Sequence, residues 1–380
     1  MDCPFYEQQM YPGDTRIQLQ VLNSQTRDDR MARFATSVFD YGRRSDGFVD
    51  MNAPTRMTQE SATFTLCWLL MFRDYAMWRD NAAFLRARMP GVRNALMNYE
   101  HYENEAGLLV GLPGWTFVDW VDGWTRGVPP DGLADSGKAS AIINLFYLHA
   151  LRSVADVEEA LGERQFAERW RERAVRLSQA ILGAFWCEER GLVADTVRKD
   201  SFSEHAQALA ITAEILTPER KDRAIRALED AKDLHKASAS FSYYLFAAYA
   251  VCGRSDLILR RLDIWRNYLA HGASTAFETQ DVEARSDCHA WSACPLYYFQ
   301  TVLAGVEPDA PFFRSVRIAP QPGPLKRIRA KTPSPAGLIE TDLDFAGERV
   351  SGRIVLPGNL TGTFVWKGEV RRLDSGVNDL

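Results

Sequence analysis

Residues 60–79 read ESATFTLCWLLMFRDYAMWR. Leu66, Leu69, Leu70 and Tyr75 recur at helical spacing and polar residues gather toward one end, the pattern of a well-buried helix. Reading outward, a second helix starts near Asn81 and runs to about Tyr102. Residues 15–25 and 28–42 make an earlier pair. The same periodicity returns at 136–158, 162–184, 201–215, 217–230, 239–253, 255–269 and 290–303, with Ser136, Ser201 and Ser255 as N-caps or first-turn residues. About eleven antiparallel helices with almost no strand signal between them point to a closed α/α toroid or a solenoid. No fixed-period repeat is visible, which argues against the solenoid. Six hairpins need about twelve helices, so the pattern predicts a mainly α fold, an (α/α)6 six-hairpin barrel lacking its first helix, which would lie before Met1.

Composition changes after Glu307. Pro308, Pro311, Pro320, Pro322 and Pro324 cluster, and the stretches SVRIAP, LIETDLDF, RVSGRIVLP and GTFVWKG are rich in strand formers separated by turn residues. The expected division is a barrel over 1–307 and a small C-terminal antiparallel β-sandwich over 308–380.

The 380 residues carry a net charge of −5 and no basic patch, so nucleic acid is not an expected partner. The six cysteines are scattered without a CxxC pair and read as buried free thiols. No apolar run reaches the roughly 20 residues of a membrane span. The start, MDCPFYEQQMYPGD, has neither a basic nor an apolar leader region, so the chain as written is expected to be soluble and cytoplasmic, with no membrane partner. The oligomeric state is not legible.

Metal-hydrolase, P-loop, dinucleotide and nucleophile-elbow signatures are all missing, so no metal and no cofactor is expected. What stands out instead is two long connections. Residues 104–135 run NEAGLLVGLPGWTFVDWVDGWTRGVPPDGLAD and residues 272–289 run GASTAFETQDVEARSDCH. Loops of this length in a compact helical domain are usually functional. With the N-terminal segment, which supplies Asp2, Glu7 and Asp14, they concentrate carboxylates beside aromatics. That is equipment for glycoside hydrolysis: one carboxylic acid protonates the leaving oxygen, a second carboxylate activates water or attacks carbon, and aromatic walls hold the ring. Asp14 also precedes a helix and reads equally as part of a capped entrance.

At this point the residues carry a resemblance. DCPFYEQQMYPGDTRIQ (2–18) resembles the DCP…E…GD signature of the α-L-rhamnosidases, a family of inverting six-hairpin glycosidases. WTFVDW (115–120) is similar to that family's aromatic loop. GASTAFE with RSDCHAWSACPLYYF is similar to its late catalytic loop and last helix, and FRSVRIAP with LPGNLTGTFVWKGE to its C-terminal β-domain. The resemblance implies Glu7 as general acid and Glu278 as general base. It further implies that Asp2, Asp14 and Asp119 bind sugar hydroxyls, that Trp115 and Trp120 stack on the ring, that Tyr11 faces the sugar where many relatives have Trp, and that His289 lies near it. Many relatives carry an Arg between the first Asp and the acid; Phe5 and Tyr6 stand there in this chain.

Other candidates read as structural. His205 is expected to pack or cap, Trp124 and Trp291 are balanced between core and site wall, and Asp287 either orients His289 or caps the last helix. The missing helix leads to an expectation of weak or no activity for this chain alone. Two further functions stay open: a non-catalytic carbohydrate-binding remnant, and a six-hairpin glycosidase of other sugar specificity.

Overall fold

The computed structural model describes all 380 residues. Its helices are α1 (Pro12–Gln25), α2 (Arg30–Tyr41), α3 (Ala62–Trp78), α4 (Ala82–Tyr99), α5 (Ala141–Leu161), α6 (Arg164–Phe185), α7 (Glu204–Thr212), α8 (Pro218–Asp230), α9 (Ser242–Val251), α10 (Ser255–Arg261), α11 (Asp263–Ala270) and α12 (Pro295–Tyr298). Side-chain chemistry sorts them into two layers. α3, α5 and α7 are buried along almost their whole length. α6 and α8 bury only one stripe, Trp170, Leu177, Ile181 and Phe185 on α6 and Ala224, Ile225 and Leu228 on α8. A helix apolar all round belongs inside, and an amphipathic one belongs outside. α1, α3, α5, α7 and α9 therefore form the inner ring, each packed on the next, and α12 closes it against α1. Local signals set the ends: Ser61 Oγ accepts from Phe64 N to start α3, and Gly162, at φ 84°, turns the chain from α5 into α6.

Two expected helices are interrupted. The 255–269 stretch bends at Leu262 into α10 and α11. The 290–303 stretch is a 3-10 turn (Ala290–Ala293), then α12, then a π turn (Phe299–Leu303). Between α11 and α12 runs an outer groove along which Leu269, Leu296 and Phe299 are exposed, and no second-layer helix covers it. No helix is long and apolar enough to cross a membrane.

A small hairpin, β1 (Trp186–Cys187) with β2 (Leu192–Val193), interrupts the helical run after α6. The remaining strands are β3 (Val306–Pro308), β4 (Val316–Ile318), β5 (Arg327–Ser334), β6 (Gly337–Ala346), β7 (Arg349–Leu356), β8 (Gly362–Trp366), β9 (Glu369–Leu373) and β10 (Gly376–Asp379). They make two four-stranded sheets, ordered β10-β7-β6-β5 and β3-β4-β8-β9. Every pairing is antiparallel except β4 with β8, which is parallel. Ile339, Thr341, Leu343 and Phe345 alternate inward along β6. The buried side chains of both sheets join the barrel core, and Trp78 of α3 meets Phe313 edge-on at 5.5 Å.

Candidate active site

Three loops converge at one mouth of the ring. The first, residues 1–11, folds on itself: Asp2 N donates to Gln9 O at 2.8 Å and Gln8 N to Cys3 O at 2.9 Å. Met10 and Ala53 exchange both amide bonds, which anchors the loop to the barrel wall. Pro12 then opens α1 with its φ preset, so Asp14 falls in the first turn, buried. The late loop is pinned by Glu278 N donating to Ser286 O at 2.9 Å, His289 N to Ala276 O at 2.8 Å and Trp291 Nε1 to Glu278 O at 2.8 Å. The third loop carries the aromatics, with Trp115 N on Glu60 O at 2.8 Å and Trp115 Nε1 on Arg126 O at 2.9 Å.

Ring closure brings the first and last of these together. His289 Nε2 stands 3.0 Å from Asp14 Oδ1, and the sulfurs of Cys3 and Cys288 are 3.9 Å apart. The partner that orients His289 is thus Asp14, rather than Asp287. The resulting cavity is lined by Asp2, Glu7, Tyr11, Asp14, Trp115, Trp120, Glu278 and His289. Met51, Phe64, Phe117, Arg285 and Trp291 complete it. The aromatic wall is continuous: Phe117 lies edge-on to Trp115 at 5.3 Å and to Trp120 at 4.9 Å, and nearly parallel to Trp291 at 6.5 Å.

Asp119 is the exception and needs correction as a hydroxyl ligand. It is fully buried outside the cavity, and its carboxylate is engaged. One oxygen accepts from His205 Nε2 at 2.8 Å and Ser238 N at 2.9 Å; the other accepts from the hydroxyls of Ser238 and Ser240. Val118 N and Asp119 N both donate to Gly127 O, and two successive amides on one acceptor overturn the in-out alternation of an extended chain. Trp120, not Asp119, therefore faces the cavity. His205 is structural, and Trp124 packs on it at 4.7 Å, away from the site.

The electrostatics separate the carboxyls. Burial and the neighbouring Asp2 carboxylate push Glu7 above the ordinary carboxylate range, against the pull of Arg285. Burial also raises Asp14, although His289 opposes it. Burial works against a protonated His289, but the hydrogen bond and charge of Asp14 outweigh it and its pKa is raised. Tyr11 is pushed up to about 12 by burial, so its hydroxyl stays a donor. Asp2 spends one oxygen on Gln9 N at 3.2 Å; the other is buried with no protein partner and is free to accept from a ligand hydroxyl.

Arg285 and the aromatics Phe64 and Phe117 escaped the residue-by-residue reading. Arg285 sits among Asp281, Glu283 and Asp287 in sequence and reads there as one charge of a solvated loop. In the fold its Nη2 contacts Glu7 Oε1 at 2.6 Å and Glu278 Oε1 at 3.1 Å.

Residues 1–303 match the family model described as bacterial alpha-L-rhamnosidase 6 hairpin glycosidase domain, and residues 305–379 match the bacterial alpha-L-rhamnosidase C-terminal domain. Among solved structures, the GH78 family rhamnosidase of Bacillus sp. GL1 is 25% identical with a TM-score of 0.86, the match covering 96% of this chain and 39% of that one. The α-L-rhamnosidase of Streptomyces avermitilis, complexed with L-rhamnose, is 18% identical with a TM-score of 0.79, covering 99% and 39%. The Klebsiella oxytoca rhamnosidase with rhamnose bound is 22% identical with a TM-score of 0.69, covering 79% and 59%. The chain thus spans 39% to 59% of the length of these three proteins. No curated protein matches.

Proposed function

This chain belongs to the bacterial α-L-rhamnosidase six-hairpin glycosidase family, and from that premise we propose that it hydrolyses terminal α-L-rhamnosides with inversion, Glu7 serving as acid and Glu278 as base. The observation that carries the reading is the pair itself: two carboxyls from opposite ends of the chain line one aromatic-walled cavity, and the one assigned as acid has a raised pKa. A general acid must hold its proton near neutrality, which burial and a neighbouring carboxyl achieve.

In the proposed reaction Glu278 takes a proton from water as the oxygen bonds to the anomeric carbon. The glycosidic C–O bond breaks, and Glu7 delivers its proton to the leaving oxygen. The products are a free alcohol and β-L-rhamnose, and the two carboxyls exchange ionisation states. The free oxygen of Asp2 and the Asp14–His289 pair supply acceptors and a donor for ring hydroxyls, while Trp115, Trp120 and Trp291 offer faces to the apolar side of the ring. The cavity lining holds four carboxyls against one arginine and one histidine, which favours a neutral sugar over a uronide.

The test is release of p-nitrophenol from p-nitrophenyl α-L-rhamnoside by wild type, Glu7→Gln and Glu278→Gln. Each variant is expected to lose on the order of 10²–10⁴-fold in kcat. The Glu7→Gln loss should be larger on an alkyl rhamnoside, whose leaving group needs its proton more. Proton NMR of the first product should show the β anomer; the α anomer would replace inversion with retention. Binding of L-rhamnose without turnover would make the chain a carbohydrate-binding protein.

A further inference from the structure

Arg285 stands between the two carboxyls in an asymmetric grip. Its Nη2 and Nε hydrogen-bond both oxygens of Glu278, at 3.1 and 3.3 Å, whereas Glu7 is met at one oxygen, Oε1, by Nη2 at 2.6 Å. One nitrogen in contact with the facing oxygens of both carboxyls puts the guanidinium where an inverting site must admit the leaving-group oxygen and a water, with acid and base roughly 6.5–9.5 Å apart. The resting arrangement therefore has to open before a sugar and a water can enter. A fork on both oxygens is the stronger contact and a single point is the weaker, so the Glu7 contact is the one that yields. The guanidinium has somewhere to go: its side chain is 49% exposed and already lies 5.5 Å from the centre of the exposed Tyr6 ring.

We propose that Arg285 is a positioning residue that clasps acid and base together in the empty site and releases Glu7 to the leaving-group oxygen when a glycoside enters, while its fork stays on Glu278. This rests on the rhamnosidase reading above. Release also changes charge. The groups left facing Glu7 are Asp2, Tyr11 and Asp14 from the first loop and α1, and Glu278 and His289 from the late loop. Three of these five are carboxyls, and the cation that pulled the acid toward ionisation has gone, so substrate entry itself secures the proton on the acid.

The experiment compares wild type, Arg285→Met and Arg285→Lys on p-nitrophenyl α-L-rhamnoside across pH. The alkaline limb of kcat/KM reports the free enzyme, where Arg285 touches Glu7; that of kcat reports the bound complex, where it has left. Arg285→Met should lower kcat/KM on the order of 10²-fold through the mispositioned base, move the alkaline limb of kcat/KM to higher pH, and leave that of kcat in place. Arg285→Lys should restore part of the rate, because a single ammonium reaches one carboxyl but cannot fork it. Movement of both limbs, or of neither, overturns the proposal and leaves the rhamnosidase assignment standing. Failure of wild type to turn over rhamnoside sinks that assignment instead. The clasp is then decided by titrating the ¹³C-carboxyl resonance of Glu7, assigned by its loss in Glu7→Gln: a rise in Arg285→Met supports it, and no rise overturns it.

Discussion

Asp119 gathers four donors onto one buried carboxylate: His205 Nε2, the amide and hydroxyl of Ser238, and the hydroxyl of Ser240. That ties the aromatic loop to α7 and to the entrance of α9, so the residue serves the cavity by fixing the backbone that carries Trp120. Asp119→Ala leaves these donors buried without an acceptor and is expected to cost roughly 3–5 kcal/mol, read as a lowered urea midpoint. An unchanged midpoint would count against the scaffold role. Single residues were legible where a motif carried them: Asp2, Glu7, Asp14, Glu278 and His289 all reach the cavity. Asp119 was misplaced because a shared acceptor at Gly127 reverses which side chains face inward, and hydrogen-bond geometry of that kind leaves no periodic trace. Arg285 is illegible for a different reason: its partner Glu7 lies at the far end of the chain.

Among the elements, the aromatic loop depends on one backbone contact. Gly114 has φ 77° and pairs with Ser61 at the mouth of α3; a Cβ there would stand 2.2 Å from the Glu60 carbonyl oxygen. Gly114→Ala must therefore push the loop away and release Trp115 N from that same carbonyl. We expect a loss of roughly 1–3 kcal/mol together with weaker quenching of tryptophan fluorescence by L-rhamnose. A variant that keeps wild-type affinity would show that Trp115 is positioned by other contacts. The long helices were readable because each buries a face at a fixed period. The bend at Leu262 is not, because both halves of a bent helix keep apolar spacing while only the axis changes, and the switch from 3-10 to α to π winding through 290–303 comes in pieces of four or five residues, too short to show a period. The two-residue strands β1 and β2 are too short to show alternation. The parallel β4–β8 pair follows from chain routing, which local pattern does not encode.

At the scale of the whole molecule, barrel and sheets meet at β3, where Glu307 pairs in register with Arg317 of β4. Burial lifts Glu307 to about 7, outweighing Arg317 and Arg73. Its folded pKa lies above the ordinary value, so the folded state holds a proton that the unfolded chain has lost. The stabilisation from that proton is complete below about pH 4.5 and disappears as pH rises through 7. Glu307→Gln should therefore raise the unfolding midpoint relative to wild type more at pH 8 than at pH 5; an equal change at both would refute the burial account.

Closure of the ring also has a consequence in time. Asp14 and His289 touch across 275 positions of chain. At roughly 5–20 residues per second of synthesis, the loop that carries Glu7 waits tens of seconds for its counterpart to be made. Until then the cavity does not exist. Prematurely ended chains would carry Glu7 with neither Glu278 nor His289 beside it, so the complete cavity would form only on molecules translated past the last loop.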